Sequence, residues 1–267
     1  MAHISAFILR QSGFFNTVAR MMMRLFDSPY RAPANRQTSA KPDMAVEAMA
    51  CCQLLSFKRN GAAFSLPLFK DLPKDDLEAA PKLFSIAGVD EAGRGPLAGP
   101  VVTAAVILNP AHIPDDLNDS KKLSANQREV LFESLITSHD ISIASATPQR
   151  IDDINIRAAT LWAMVQAVKG LPRQPDGVLI DGRDVPDGLP CPSGAVIKGD
   201  GLSQSIAAAS IIAKVMRDRM MQNCGRDAPG YGLETHMGYG TEQHRAAIAA
   251  KGGTRHHRTS FRPLRDL

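Results

Sequence analysis

Short apolar runs recur along the chain from about residue 84, and several of them end in an acidic residue. Residues 85–91 and 101–108 flank a glycine-rich turn, and this order predicts a strand, a turn and a second strand. Further strands, or strand-like runs, are predicted at residues 141–147, 177–182 and 195–201. The pattern therefore delivers acids at the C-terminal ends of strands, which is where α/β sheets place their ligands.

Helical spacing fills the segments between and after these strands. Helices are predicted over residues 125–137, 155–169 and 203–223, and from the cap Thr241 to about residue 250. The first has a capping-box pattern, because Gln127 follows Ser124 at the third position. The second ends at Gly170, a typical helix-ending residue. The third carries small residues between 207 and 213, which would let it approach the sheet closely.

The composition fits a folded protein with an anionic partner. The chain has 267 residues, a net charge of +4 and 44% hydrophobic residues, enough for a sizeable core. Residues 241–267 hold six lysines and arginines and three histidines against two acids, so we expect this segment to bind a polyanion backbone. No run approaches the roughly 20 apolar residues of a membrane span. The four cysteines show neither metal-site spacing nor a disulfide framework, which favours a reducing compartment.

Residues 1–80 have a different composition. Up to about residue 40, arginines interleave with apolar residues and Asp27 is the one acid, as in an organellar presequence. The alternative is a translation start assigned too early, since Met44 and Met49 are later candidates. We predict a mostly disordered leader in either case. The expected location is the cytoplasm, or an organelle if the presequence is real.

The candidate chemistry lies in four acids: Asp90, Glu91, Asp181 and Asp200. They offer oxygen ligands alone, and hard ligands of this kind favour Mg²⁺ or Mn²⁺ over zinc. Adjacent strand residues point to opposite faces, so Asp90 and Glu91 reach one ion only if the strand breaks there, which Gly93 permits. Four carboxylates within coordinating reach of two ions, roughly 3.5 to 4 Å apart, would suit an in-line displacement at phosphorus. The residues favour a metal-dependent phosphodiesterase acting on nucleic acid.

Plainer alternatives stay open for each of these features. Neighbouring acids at a loop are commonly just solvated, and His236 or His244 as a general base is a less favoured possibility.

The turn at residues 93–95 leaves backbone N–H groups open to a phosphate or a sugar, and Arg94 adds a fork of donors. It lacks the Gly-Lys-Ser/Thr ending of a nucleotide-binding P-loop. Tyr239 lies between two glycines, so its neighbours cannot cover the ring.

Taken together, the motifs resemble bacterial ribonuclease HII. The matching blocks are residues 88–101, 119–123, 180–182, 198–200, 205–218, 236–241 and 257–263, and they cover residues 84–263 in the family's order. The resemblance implies the α/β ribonuclease H-like fold, with a mixed five-stranded sheet flanked by helices and a C-terminal helical extension. It implies a catalytic domain at residues 84–225 and a basic extension at 226–267 that completes the substrate groove, whereas nothing in the leader at residues 1–80 belongs to it.

The resemblance also implies an activity and its residues. The activity is hydrolysis of RNA in RNA/DNA hybrids and incision 5′ to ribonucleotides embedded in duplex DNA, by a two-metal mechanism that leaves a 3′-hydroxyl and a 5′-phosphate. The implied catalytic ligands of Mn²⁺ or Mg²⁺ are Asp90, Glu91, Asp181 and Asp200. The implied substrate-binding residues are Gly93, Arg94, Gly95, Tyr239, Lys121, Lys122, Ser210, Lys214 and Arg258. The glycine turn and Tyr239 would sense the ribose 2′-hydroxyl, and the others would hold phosphates or buttress the acids.

Three other functions are alternatives to that of a ribonuclease HII. A ribonuclease HIII-like enzyme normally has threonine where Arg94 stands, and a folded N-terminal platform whose alternating strands the leader lacks. A transposase- or resolvase-like nuclease on the same fold would cut all-DNA substrates equally well. A non-catalytic protein that binds RNA/DNA hybrids is disfavoured by the presence of all four acids. We expect a monomer without membrane association, and a polymerase clamp stays open as a partner.

Overall fold

The computed structural model describes residues 85–266, so the leader at residues 1–80 and both of its explanations lie outside the described part. The strands within that part are β1 Ile86–Ala92, β2 Val101–Ile107, β3 Asp140–Ala146, β4 Gly177–Asp181 and β5 Ser193–Val196. The α-helices are α1 Ala125–Ser138, α2 Pro148–Ile154, α3 Ile156–Lys169, α4 Gln204–Asp227, α5 Leu233–His236 and α6 Glu242–Lys251. Short 3₁₀ helices lie at Pro110–His112, Ser120–Lys122, Gly199–Gly201 and Leu264–Asp266.

These strands form one mixed sheet in the order β3-β2-β1-β4-β5. β2 pairs antiparallel with β1 and β3, whereas β4 pairs parallel with β1 and β5. Parallel pairing requires a crossover connection, and α3 is part of the crossover that leads to β4. The mixed five-stranded sheet with flanking helices, expected from the ribonuclease H-like resemblance, is confirmed.

Helices cover both faces of the sheet, which explains why every residue of β2 is buried. Side chains alternate along that strand. Ala104 and Val106 pack in one cluster with α1 and α4, while Ala105 and Ile107 pack in another with α3. Strand β2, the antiparallel neighbour of β1, is therefore held on both faces.

Helix α4 lies unusually close to β1. Ala207, Ala208 and Ala209 are fully buried against the sheet. A side chain at Gly88 of β1 would overlap the backbone carbonyl carbon of Ser205. The predicted close approach of this helix is confirmed, and it needs the small residues on both elements.

Local capping signals account for the helix starts. The Ser124 capping box is formed in both directions, with Gln127 N–H donating to Ser124 Oγ at 3.3 Å. Helix α2 was not predicted, although Thr147 caps it and a proline follows in its first turn, both usual start signals. The predicted strand at residues 195–201 is wrong in part. β5 ends at Val196, and Lys198 adopts a left-handed conformation that leads into the 3₁₀ helix.

The segment after α4 packs back onto the glycine-rich connection between β1 and β2. One apolar cluster joins Leu97 and Ala98 of that connection with Met221 of α4, Leu233 of α5 and Ile248 of α6. The helical extension is thereby attached to the turn that was singled out for sugar or phosphate contact. Among residues 85–266, no helix combines the length and apolar character needed to cross a bilayer.

Candidate active site

The four acids come from two neighbouring strands and one turn. They are Asp90 and Glu91 in β1, Asp181 at the end of β4, and Asp200 in the 3₁₀ helix Gly199–Gly201. The parallel register pairs Val89 with Ile180, so the next residues, Asp90 and Asp181, lie side by side. The N–H of Gly199 donates to Asp181 Oδ1 at 2.7 Å. This bond holds the turn after β5 against the end of β4.

Strand β1 does not break between its two adjacent acids. Asp90 pairs with Ala104 and Glu91 pairs with Thr103, and the strand continues beyond both, so the break that Gly93 would permit does not occur here. Instead, Asp90 Oδ1 accepts a hydrogen bond from the N–H of Glu91 at 2.7 Å. Both carboxylates nevertheless interact electrostatically with Asp181.

Burial and mutual repulsion dominate the electrostatics of these acids. Asp90 is 5% exposed, and burial, followed by the charges of the other three acids, raises its pKa well above the usual range. Burial also raises the pKa of Glu91, against the opposing charge of Arg94. The pKa of Asp181 is raised mainly by burial, although a backbone hydrogen bond stabilises its charged form. The nearby cations therefore do not offset the negative charge of the four acids.

The chemistry of this donor set fits a divalent cation. All four groups supply hard carboxylate oxygens, and a cation would relieve the repulsion that raises their pKa values. Within the part of the chain that the structure describes, however, no three His, Cys, Asp or Glu side chains form a ready metal-binding group. That all four carboxylates hold shared ions stays a prediction. The structure brings the acids into electrostatic interaction.

The 3₁₀ helix Ser120–Lys122 carries one cation to the acids. Lys121 Nζ lies 3.6 Å from Asp200 Oδ2. Burial lowers the pKa of Lys121, but the charges of Asp200 and other nearby acids outweigh it, so the net shift is upward. Ser210 Oγ of α4 accepts from the N–H of Ser120 at 3.2 Å and ties this turn to the helix.

Three further predicted substrate-binding residues differ in their surroundings. Ser210 is buried, and its hydroxyl supports the Lys121 turn. Lys122 is exposed. Lys214 pairs with Asp218 one helical turn away, at 2.7 Å.

Arg258 supports the glycine-rich turn from below. Its guanidinium is 0% exposed and donates to the carbonyl oxygens of Gly93 at 2.6 Å, Arg94 at 2.9 Å and Gly99 at 3.0 Å. Burial, together with the charge of Arg217, lowers its pKa to about 9. Each of the three guanidinium nitrogens donates to the protein backbone, so Arg258 shapes the turn from a fully buried position, which does not fit the predicted contact with a phosphate.

Arg217 holds the other side of the same turn and was missed by the sequence analysis. It is 1% exposed and donates to the carbonyls of Ala98 at 3.2 Å, Pro100 at 3.1 Å and Met237 at 3.0 Å. Gly93 has a φ of +97°, and a side chain there would overlap the Arg217 guanidinium. The available signal was spacing, since Arg217 lies four residues before Met221 on the buried face of α4.

Tyr239 lies beside the glycine turn. It is 49% exposed, as its glycine neighbours predict. A Cβ atom built on Gly95 would be 3.9 Å from the Tyr239 ring, and the N–H of Leu97 donates to the carbonyl of Gly238 at 2.8 Å. The structure thus brings the turn and the tyrosine together, while Arg94 links the turn to the acids through Glu91, at 3.6 Å.

The two candidate general bases have structural partners. His236 contacts the Tyr231 carbonyl through Nε2 at 2.8 Å and accepts from the N–H of Gly238 through Nδ1 at 3.2 Å. His244 is fully buried and contacts the Tyr239 carbonyl through Nδ1 at 2.9 Å. His244 Nε2 lies 3.0 Å from His257 Nε2, so every ring nitrogen of the two candidate bases has a partner within the protein.

Three of the basic residues at 241–267 have partners within the protein. Arg258 is buried, whereas Arg255 and Arg262 are exposed and pair at the surface, with Asp227 at 3.1 Å and with Asp266 at 3.2 Å. Arg258 is therefore withdrawn from the surface, and binding of a polyanion by the rest of the segment stays a prediction.

Comparison with known proteins agrees with this geometry. A family model described as Ribonuclease HII matches residues 87–264. A ribonuclease HII of Azorhizobium caulinodans is 51% identical over 237 residues, which cover 89% of this chain and 84% of the relative. The ribonuclease H2 of Pyrococcus horikoshii OT3 superposes with a TM-score of 0.60 at 28% identity, covering 68% of this chain and 96% of that one. A chain of the PCNA:RNase HII complex from Archaeoglobus fulgidus gives a TM-score of 0.57 at 26% identity, covering 69% and 100%. The chain therefore belongs to the ribonuclease HII family.

Proposed function

We propose that this enzyme hydrolyses the RNA strand of RNA/DNA hybrids and incises duplex DNA on the 5′ side of embedded ribonucleotides, leaving a 3′-hydroxyl and a 5′-phosphate. Its family membership makes it a ribonuclease H endonuclease. The observation that carries the more specific proposal is a juxtaposition. Four mutually repelling acids lie next to a glycine turn that an exposed tyrosine flanks.

The family is dependent on divalent metal ions. The residues that would hold them are Asp90, Glu91, Asp181 and Asp200. When bound there, two Mg²⁺ or Mn²⁺ ions would supply activation of the attacking water and stabilisation of the departing 3′ oxygen. The protein's own contribution is to bury Asp90 and to fix Asp181 through the N–H of Gly199, so that the carboxylates are held close despite their repulsion.

The turn and Tyr239 would recognise the sugar. The 2′-hydroxyl is the group that distinguishes RNA from DNA, and reading it requires donors at close range. Gly95 has no side chain, so a ribose edge can approach the backbone N–H groups next to the tyrosine ring. Arg217 and Arg258 bind the carbonyls of this region and so fix the orientation of its peptide groups.

Exposed cationic side chains beside the acids would bind the phosphates of the nucleic-acid strand that is cut. Lys121 lies next to Asp200, Lys122 is exposed on the same short helix, and Arg94 is exposed on the turn. Their charges suit the phosphates on either side of the scissile bond. The expected assembly is a monomer, and the Archaeoglobus fulgidus complex supports a sliding clamp as the proposed protein partner.

Incision of a duplex with a single ribonucleotide, in Mg²⁺ or Mn²⁺, tests the proposal. The wild-type enzyme is expected to cut on the 5′ side of the ribonucleotide, and Asp90→Asn combined with Asp181→Asn is expected to abolish cutting. Asp184→Asn is the matched control, because this carboxylate lies three residues from Asp181 and pairs with Arg157 on the surface. It should cut like the wild type.

Each alternative function has its own outcome in the same assay. No incision by the wild type, or incision that survives both substitutions, would reject the proposal. Equal cutting of an all-DNA duplex would favour a transposase-like nuclease. Tight hybrid binding without turnover would favour a non-catalytic binding protein.

A further inference from the structure

A chain of hydrogen bonds runs through the buried part of the C-terminal segment and ends at the backbone of Tyr239. The N–H of Thr254 donates to His257 Nδ1 at 3.0 Å. His257 Nε2 lies 3.0 Å from His244 Nε2, and His244 Nδ1 lies 2.9 Å from the Tyr239 carbonyl oxygen. Both imidazoles are buried, at 2% and 0% exposure.

The partners fix the direction of this chain. Because His257 Nδ1 accepts from Thr254, its proton is on Nε2, and it donates to His244 Nε2. His244 must then carry its proton on Nδ1 and donate to the carbonyl of Tyr239. One tautomer of each ring satisfies every nitrogen, and both rings are neutral.

The surroundings of the two rings favour the neutral state. His244 stacks on His236 with ring centroids 4.5 Å apart, and His257 packs on Tyr231 at 5.0 Å. Burial, and then the charges of His244 and His256, lower the pKa of His257 to about 4. Burial also lowers the pKa of His244. The neutral hydrogen-bond chain is therefore complete at neutral pH.

The same chain is attached to the glycine turn. His257 forms a bridge with Ala98, and the flanking residues add two backbone bonds, from Gly99 N–H to the His256 carbonyl at 2.7 Å and from Arg258 N–H to the Leu97 carbonyl at 2.9 Å. The imidazole of His257 is thus fixed to the segment that closes the turn. Its hydrogen bond to His244, and the bond from His244 to the Tyr239 carbonyl, connect this segment to Tyr239.

Tyr239 needs such support because of its neighbours. Glycine on both sides leaves the backbone with many conformations, and the ring itself is half exposed. Its carbonyl accepts from the N–H of Thr241 at 2.8 Å and from His244. Of these two bonds, the one from His244 comes from outside the loop, because His244 lies in helix α6.

We propose that His244 and His257 are positioning residues, which hold Tyr239 against the glycine turn in the orientation that recognises the ribose. The inference rests on the proposed role of Tyr239 in sensing the sugar. Both histidines are buried and none of their hydrogen bonds goes to the acids, so their effect passes through the Tyr239 backbone.

Two substitutions at one position separate this role from general packing. In His244→Asn the amide nitrogen takes the place of Nδ1 and can still donate to Tyr239, whereas in His244→Gln it takes the place of Nε2 and cannot. Loss of one such bond predicts that His244→Gln lowers kcat/KM on a duplex with one ribonucleotide by about threefold to tenfold. His244→Asn is expected to recover most of that loss.

A double-mutant cycle with Tyr239→Ala locates the effect. If the histidine acts through the tyrosine, His244→Gln should add little in the Tyr239→Ala background. Additive losses would overturn the inference, and so would wild-type activity of His244→Gln when Tyr239→Ala is impaired. Unimpaired cutting by Tyr239→Ala would instead remove the sugar-sensing role itself, and with it this inference, while the hydrolytic function stood.

A measurement on the wild-type enzyme keeps the inference testable if a variant fails to fold. Nitrogen-15 NMR of the imidazoles reports which nitrogen carries the proton. We expect the Nδ1–H form for His244 and the Nε2–H form for His257 at neutral pH. The opposite form of His244 would break the chain and overturn the proposal.

Discussion

Replacing Arg258 by methionine tests how the glycine-rich turn is held. Methionine fills a similar apolar path but offers no donor to the carbonyls of Gly93, Arg94 and Gly99. The turn would then lose the support on the side opposite Arg217. We expect a moderate loss of stability and a larger loss of incision activity.

Two opposing free energies set the size of the stability change. A hydrogen bond from a charged donor contributes about 1.5 to 3 kcal/mol, so three bonds contribute roughly 5 to 9 kcal/mol. Burial lowers the pKa of Arg258 to about 9, and a shift of this size corresponds to a cost of about 5 kcal/mol for keeping the charge buried. The difference leaves a net contribution of about 2 kcal/mol, which predicts a melting temperature roughly 4 to 8 °C lower in a domain of this size.

Thermal unfolding and incision kinetics measure the two effects. A turn displaced by about 1 Å is expected to lower kcat/KM by roughly 10- to 100-fold. The salt dependence of substrate binding should not change, because the buried guanidinium neutralises no phosphate. Arg262→Met is the control, since this arginine is exposed and pairs with Asp266 on the surface. It should leave the melting temperature unchanged.

Two results would refute this reasoning. Unchanged stability and unchanged incision would show that the turn holds its shape without Arg258. An unchanged melting temperature with a salt slope smaller by about one ion would show a phosphate contact in place of a supporting role.

Three further predictions concern other elements. Gly88→Ala should cost about 3 kcal/mol in chemical denaturation, because the new methyl group would overlap the Ser205 backbone and no flexible side chain can yield; unchanged stability would contradict the close approach of α4. The unfolded chain protonates His257 below about pH 6.5, whereas burial keeps it neutral in the folded protein down to about pH 4, so stability should fall by at most about 3 kcal/mol as pH drops through that window. The raised pKa values of the buried acids act in the opposite direction, so urea unfolding of the wild type is compared with His257→Gln across the window; a stability difference that does not change with pH would contradict the reasoning. Lys121→Met should weaken substrate binding and reduce its salt slope by about one ion, while Lys169→Met on α3 should not; an equal effect of both would contradict a local contact.

The amino-acid sequence by itself determined the local elements and the identity of the acids. Short apolar runs marked most of the strands, and Ser124 with Gln127 marked the start of α1. These signals are local, since periodicity and capping depend on residues within a few positions of one another. For the same reason the motif around Asp90 pointed to a site at a strand end before any contact across the sheet was known.

Only the tertiary structure decided what the basic residues near the C-terminus do. Arg258 and Arg262 look alike in sequence, yet one is buried under the glycine turn and the other is exposed. The carbonyls that Arg258 binds lie 159 to 165 residues earlier in the chain, so no local pattern could reveal them. The pairing of His244 with His257 depends likewise on how α6 and the segment after it fold together. A side chain's charge is fixed by its identity, but its burial and its partners are set by long-range packing, and these decide whether it binds substrate or supports the site.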